Sequence, residues 1–158
     1  MQKVNLSFNK MKKLEIFPEK EMPTGFPISN IAYFKKLTHL NLSFNTINPL
    51  SLTQLSFISQ TLESLDLTGN HLKFIPAVFA QLSSLSKLNL SNNKLSNSKS
   101  KPISEEMVFT SLGYVPKLKN LDLSHNKLEF IPDDEECELV HEMFRNLTEL
   151  DLSHNKIS

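Results

Sequence analysis

Apolar and polar residues along this chain repeat in a fixed frame. Leu118, Leu121, Leu123 and Leu128 occupy relative positions 1, 4, 6 and 11, and Asn126 occupies position 9. The alternation Leu121, Asp122, Leu123, Ser124 predicts a short strand with one buried face. Asn126 then predicts a turn, with its side-chain amide bonding backbone groups of neighbouring coils that the turn leaves unpaired. The frame occurs six times. The other copies are Met1, Val4, Leu6, Asn9, Met11; Leu37, Leu40, Leu42, Asn45, Ile47; Leu62, Leu65, Leu67, Asn70, Leu72; Leu85, Leu88, Leu90, Asn93, Leu95; and Leu147, Leu150, Leu152, Asn155, Ile157.

Between the strands the pattern changes. Successive position-9 asparagines stand 36, 25, 23, 33 and 29 residues apart, so the two long intervals carry insertions. Ser104 followed by Glu105 and Glu106 reads as a helix N-cap with acids in the first turn, where the helix dipole favours them. Met107, Val108, Leu112 and Val115 then share a helical face. Asp133 to Glu136 predict a second helix start, with Cys137, Val140 and Phe144 on one face. Lys12 to Tyr33, broken by Pro18, Pro23, Gly25 and Pro27, predicts loop with one short helix near Ile31. The polar run from Asn92 to Lys101 predicts a mobile surface loop.

The L-x-x-L-x-L-x-x-N-x-L frame resembles the leucine-rich-repeat family from end to end of the chain, a family whose usual period is about 20–29 residues. The limb Phe74, Ile75, Pro76 to Leu82, echoed by Phe130, Ile131, Pro132, is similar to the intracellular type of roughly 23 residues found in Ras-associated signalling scaffolds. The resemblance implies an α/β solenoid: a horseshoe with a parallel concave β-sheet and helical or irregular convex limbs. A single coil cannot bury its leucines alone, so neighbours stack on a shared core. Residues 1–158 are expected to form one such domain of about six repeats. No polar capping module flanks either end, although solenoids normally need them. The expectation is a fragment of a longer protein, or end-to-end self-association through terminal coils in which Val4, Leu6, Leu150 and Leu152 are partly wet.

Composition narrows the function. The formal net charge is zero, which gives no argument for nucleic acid or an anionic membrane as partner. With only three glycines, a Gly-rich phosphate-binding loop is not expected. One cysteine, Cys137, excludes an internal disulfide framework and leans towards a reducing compartment. The longest apolar run, Phe74 to Ala80, is too short to span a bilayer, and the N-terminal residues carry no signal-peptide hydrophobic region. A cytoplasmic location is expected, or an extracellular one should the full-length protein carry a signal peptide.

In this architecture positions 3, 5, 7 and 8 are expected to point outward from the concave sheet. Position 7 is always Ser or Thr, a choice that suits strand edges. The informative columns give the expected partner contacts: Lys3, His39, Lys87, Asn120 and Glu149 at position 3; Asn41, Asp66, Asp122 and Asp151 at position 5; Phe8, Phe44, His125 and His154 at position 8. Phe8 and Phe44 beside Lys3 and His39 have the composition of a contact patch. Asp122, Glu149 and Asp151 form an acidic end suited to a basic partner surface. His125 and His154 fall beside each other by repeat duplication, which accounts for them without a metal. Cys137 and His141 lack an orienting third group, so a core thiol is expected rather than a nucleophile. No cofactor is expected. Three of the four Asn-x-Ser/Thr triplets, at Asn5, Asn41 and Asn89, follow automatically from the repeat, and the fourth is at Asn146.

These readings converge on a non-catalytic protein-interaction module that grips a protein partner on its concave face, as a scaffold or targeting element in signalling. The competing readings are a substrate-recognition arm of a larger enzyme, such as a phosphatase, kinase or ubiquitin ligase, and an extracellular recognition protein.

Overall fold

The computed structural model describes residues 2–12, 36–97, 108–131 and 138–158. Among the described residues eight short strands run in chain order: β1 Lys3–Asn5, β2 His39–Asn41, β3 Ser64–Asp66, β4 Lys87–Asn89, β5 Ser96–Asn97, β6 Asn120–Asp122, β7 Lys127–Leu128 and β8 Glu149–Asp151. Six of them, in the order β1-β2-β3-β4-β6-β8, make one parallel sheet. Position 3 faces position 3 at every junction, from Lys3 beside His39 to Asn120 beside Glu149. The repeat frame therefore sets the register directly. This is the parallel-stranded solenoid that the pattern predicts.

Behind the sheet, positions 1, 4 and 6 point into the stack. Leu62, Leu65, Leu67, Leu85, Leu88 and Leu90 are all buried. Each buried leucine contributes roughly 1.5–3 kcal/mol relative to exposure. The outer coils are wetter, as expected: Val4, Leu6 and Leu152 are half-buried, and Leu150 is 38% exposed.

The position-9 asparagines join the coils. The Asn93 amide donates to the carbonyls of Leu67 and Leu90, at 2.9 and 3.0 Å, and its Oδ1 accepts from the N–H groups of Asn70 and Leu72, at 3.0 and 2.9 Å. Asn45, Asn70, Asn126 and Asn155 repeat the arrangement, each serving its own turn and the coil before it. Among the described residues no buried side-chain nitrogen or oxygen lacks a partner.

Return limbs close the convex side. A 3-10 helix, Pro49–Ile58, starts with Pro at its first position and with Asn48 accepting from the Leu50 N–H at 3.0 Å. It buries Leu52, Leu55 and Ile58. A second 3-10 helix, Ala77–Gln81, buries Val78 and Phe79. Helix α1, Val108–Gly113, buries Val108, Phe109 and Leu112, and Val115 is buried just after it, so three residues of the predicted face are buried, with Phe109 added. Helix α2, Glu138–Asn146, buries Met143 and tilts Phe144 against Phe109 with ring centroids 6.0 Å apart. The expected N-cap at Ser104, the acids Asp133 to Glu136, Met107, Cys137 and the Val140 side chain lie outside the described residues, as does the segment 13–35.

Two expectations change. Asn92 to Asn97 is not a mobile loop: Ser96–Asn97 is β5, which pairs in parallel with β7 in a second, two-stranded sheet. Buried Asn97 donates to the Phe130 carbonyl at 2.7 Å and accepts from the Glu129 N–H at 2.8 Å. Ile131 is exposed where its counterpart in the first limb, Ile75, is buried. Residues 98–101 lie outside the described residues.

Candidate functional site

Strand alternation sends positions 3 and 5 to the concave side. There Asp66, Lys87, Asn120, Asp122, Glu149 and Asp151, all expected contacts, line one open depression of about 730 Å³ across β3, β4, β6 and β8. Its lining carries four carboxylates and one lysine. Ser64, Asn89 and Thr148 line it too. Ser64 and Asn89 occupy outward columns that the repeat makes legible. Thr148 precedes its strand at position 2, where the frame gives no signal. Lys3, His39 and Asn41 share the sheet but lie on β1 and β2, outside the depression.

Position 5 has a second task. Its Oδ1 accepts the position-7 backbone N–H in every coil, as in Asp66 with Thr68 at 2.9 Å and Asp122 with Ser124 at 2.9 Å. At β3, β4 and β6 the position-7 hydroxyl donates to the same oxygen at 2.7 Å. This corrects the expected outward placement of position 7: Ser43, Thr68, Ser91 and Ser124 are buried under the strand ends. At Asp66, Asp122 and Asp151 one carboxylate oxygen is thus committed to the turn. The Ser153 hydroxyl and N–H hold the Asp151 carboxyl below the usual aspartate range; desolvation opposes this, and His125 and His154 nearby add to it. Glu149 accepts from the Asn120 amide, bridging β6 and β8.

Position 8 is also corrected. These residues sit not on the sheet but on the turn beyond it, in left-handed backbone: φ is 59° at Phe8, 51° at Phe44, 65° at Gly69, 54° at Asn92, 52° at His125 and 55° at His154. The column forms a rim along the concave face. Phe8 and Phe44 stack with centroids 4.5 Å apart, and both are exposed, at 72% and 47%. A Cβ on Gly69 would meet Phe44 Cδ1 at 2.8 Å, so the glycine makes room for that ring. At the other end His125 and His154 stack at 4.1 Å and 11° between planes. The rings lie face to face, which does not direct two nitrogens at one ion, and among the described residues no group of three potential metal ligands assembles.

Known proteins share both the frame and the architecture. Family models described as leucine rich repeat match residues 35–95, 117–137 and 145–158. The chain is 34% identical over 123 residues to leucine-rich repeat serine/threonine-protein kinase 1 of Mus musculus, covering 77% of this chain and 6% of the kinase. It is 32% identical over 117 residues to Tsukushi of Gallus gallus, covering 63% and 31%. It is 33% identical over 177 residues to Chaoptin of Drosophila melanogaster, covering 100% and 12%. The chain therefore spans less than a third of each of these relatives. Among solved structures, a leucine-rich-repeat protein of Leptospira interrogans aligns with a TM-score of 0.66 at 29% identity, covering all of this chain and 32% of that one. An internalin of Listeria monocytogenes, at 22% identity and a TM-score of 0.55, shares the fold.

Proposed function

Because the chain belongs to the leucine-rich-repeat family, we propose that it is a protein-interaction module that holds a protein partner across its concave face, with a scaffold or targeting role in signalling. The observation that carries this reading is the depression over β3, β4, β6 and β8, where variable polar side chains stand on a register-locked sheet. A preorganised surface lowers the ordering cost of binding. The four carboxylates of the depression, against its single Lys87, favour a basic partner surface, acting on association rate and specificity. The single cysteine, Cys137, supports a reducing, cytoplasmic setting.

Asparagine already occupies position 5 in three coils, at Asn5, Asn41 and Asn89, where its Oδ1 keeps the turn bond. The pair Asp66→Asn with Asp122→Asn therefore removes charge without removing the fold. The expected outcome is loss of partner capture at an unaltered melting temperature. Unaltered capture would refute the concave-face reading.

A second reading, a recognition arm of a larger enzyme, is favoured by the kinase relatives, in which this segment matches 6% of one and 4% of another, the probable serine/threonine-protein kinase pats1 of Dictyostelium discoideum. The repeat itself is a typically non-catalytic module, so any chemistry would come from other domains. The coding sequence on either side distinguishes the two readings.

A further inference from the structure

Across β3, β4, β6 and β8 the outward charges of the concave sheet come one sign to a strand. β3 carries Asp66, β4 Lys87, β6 Asp122, and β8 both Glu149 and Asp151: negative, positive, negative, negative. The three aspartates stand in line, because Asp66 pairs with Asn89, Asn89 with Asp122 and Asp122 with Asp151. Lys87 and Glu149 lie two residues earlier on their strands, roughly 6.6 Å to one side. All five line the same depression. Resting on the concave-face reading, we infer that the partner element it takes is an α-helix whose facing residues, one per turn, are basic, acidic, basic and basic.

Spacing selects the helix. Parallel strands stand about 4.8 Å apart, so the three intervals from β3 to β8 span about 14 Å. A helix laid across the strands offers residues i, i+4, i+7 and i+11 to one side, and its three turns of about 5.4 Å cover about 16 Å. The difference of about 2 Å is within the reach of flexible basic side chains. An extended chain laid the same way has same-face residues about 6.7 Å apart, and its three intervals run to about 20 Å, an overshoot of more than one strand spacing. With its side chains a helix is about 10–12 Å across, wide enough to meet Lys87 and Glu149 as well as the aspartate row. Lys87 decides the order of charge. It is exposed, and its neighbours in register, Ser64 and Asn120, are uncharged, so nothing in its row neutralises it. A wholly basic helix would set a cation against it, and like charges across an interface reject a partner.

Fluorescence anisotropy of labelled, alanine-based helical peptides of about 18 residues, titrated with the 158-residue chain at low ionic strength, tests the proposal. One peptide carries Arg, Glu, Arg, Arg at i, i+4, i+7 and i+11. The other has the same composition in the order Glu, Arg, Arg, Arg, which fits the sheet in neither direction. The first is expected to bind roughly tenfold tighter. Lys87→Glu makes all four strands negative and is expected to abolish that preference. Circular dichroism checks its fold; should it fail to fold, Lys87→Gln, expected to cut the preference to roughly threefold, takes its place. Equal binding of the two peptides, no binding of either, a preference unaltered by the change at Lys87, or tighter binding of an extended peptide with the same charges at alternate residues would each overturn the helix. The concave-face reading is tested on the whole partner by Asp66→Asn with Asp122→Asn, so the two fail separately.

Discussion

Asn93 shows how much one side chain holds. It satisfies two N–H groups and two main carbonyl partners from two coils, all buried. Leaving buried backbone groups unpaired costs roughly 1–3 kcal/mol each. Asn93→Ala is therefore expected to destabilise by at least about 3 kcal/mol, against less than about 0.5 kcal/mol for Asn9→Ala on the exposed first turn; urea melts of the two variants check this. The asparagine column was plain in the sequence because nothing else recurs at position 9. The burial of position 7 was not, since a short hydroxyl suits a wet strand edge and a dry turn equally, and only the bond to position 5 decides. Asp151 gives the pH case. Its folded-state pKa is lowered, chiefly by the Ser153 hydroxyl and N–H. Its stabilisation is thus fully present above the ordinary aspartate value and is lost as pH falls through the depressed folded one. Ser153→Ala is expected to move the Asp151 titration, followed by carboxyl-carbon NMR, back up towards the ordinary value.

Strands and limbs differ in how far the pattern foretells them. The three-residue strands are fixed by apolar residues at positions 4 and 6, so all six appear where the frame puts them. Strand β5 escaped notice because Ser96 and Asn97 are two polar residues in a polar run; their pairing with Lys127 and Leu128 arises from coil stacking, which local alternation does not encode. Met143 was likewise missed, although it stands three residues after Val140 and next to Phe144, the spacing of one helical face. The sheet is stiffest where both neighbours are present. Leu88→Ala in β4 is expected to cost roughly 2–5 kcal/mol, and Leu150→Ala in β8, already 38% exposed, less than about 1.5 kcal/mol. Equal losses of thermal stability for the two changes would contradict the proposed gradient of burial.

Across the molecule, contacts run between neighbouring coils, and chemistry shifts along the concave side from Lys3 and His39 to the carboxylates of β6 and β8. Such a quasi-one-dimensional stack has stability that sums over coils and junctions, so its ends open first. Native-state hydrogen exchange is expected to show slower amides in β3, β4 and β6 than in β1 and β8; uniform protection would indicate a single cooperative unit. The asparagine ladder adds a direction to this stack. Each amide completes the coil before it, never the coil after. Losing the sixth coil would strip the Leu128 N–H of its Asn155 acceptor. Losing the first would free the Asn45 side chain, which can rotate outward. The solenoid is in this sense a ratchet: its coils are each finished by a successor, and the two ends are not equivalent.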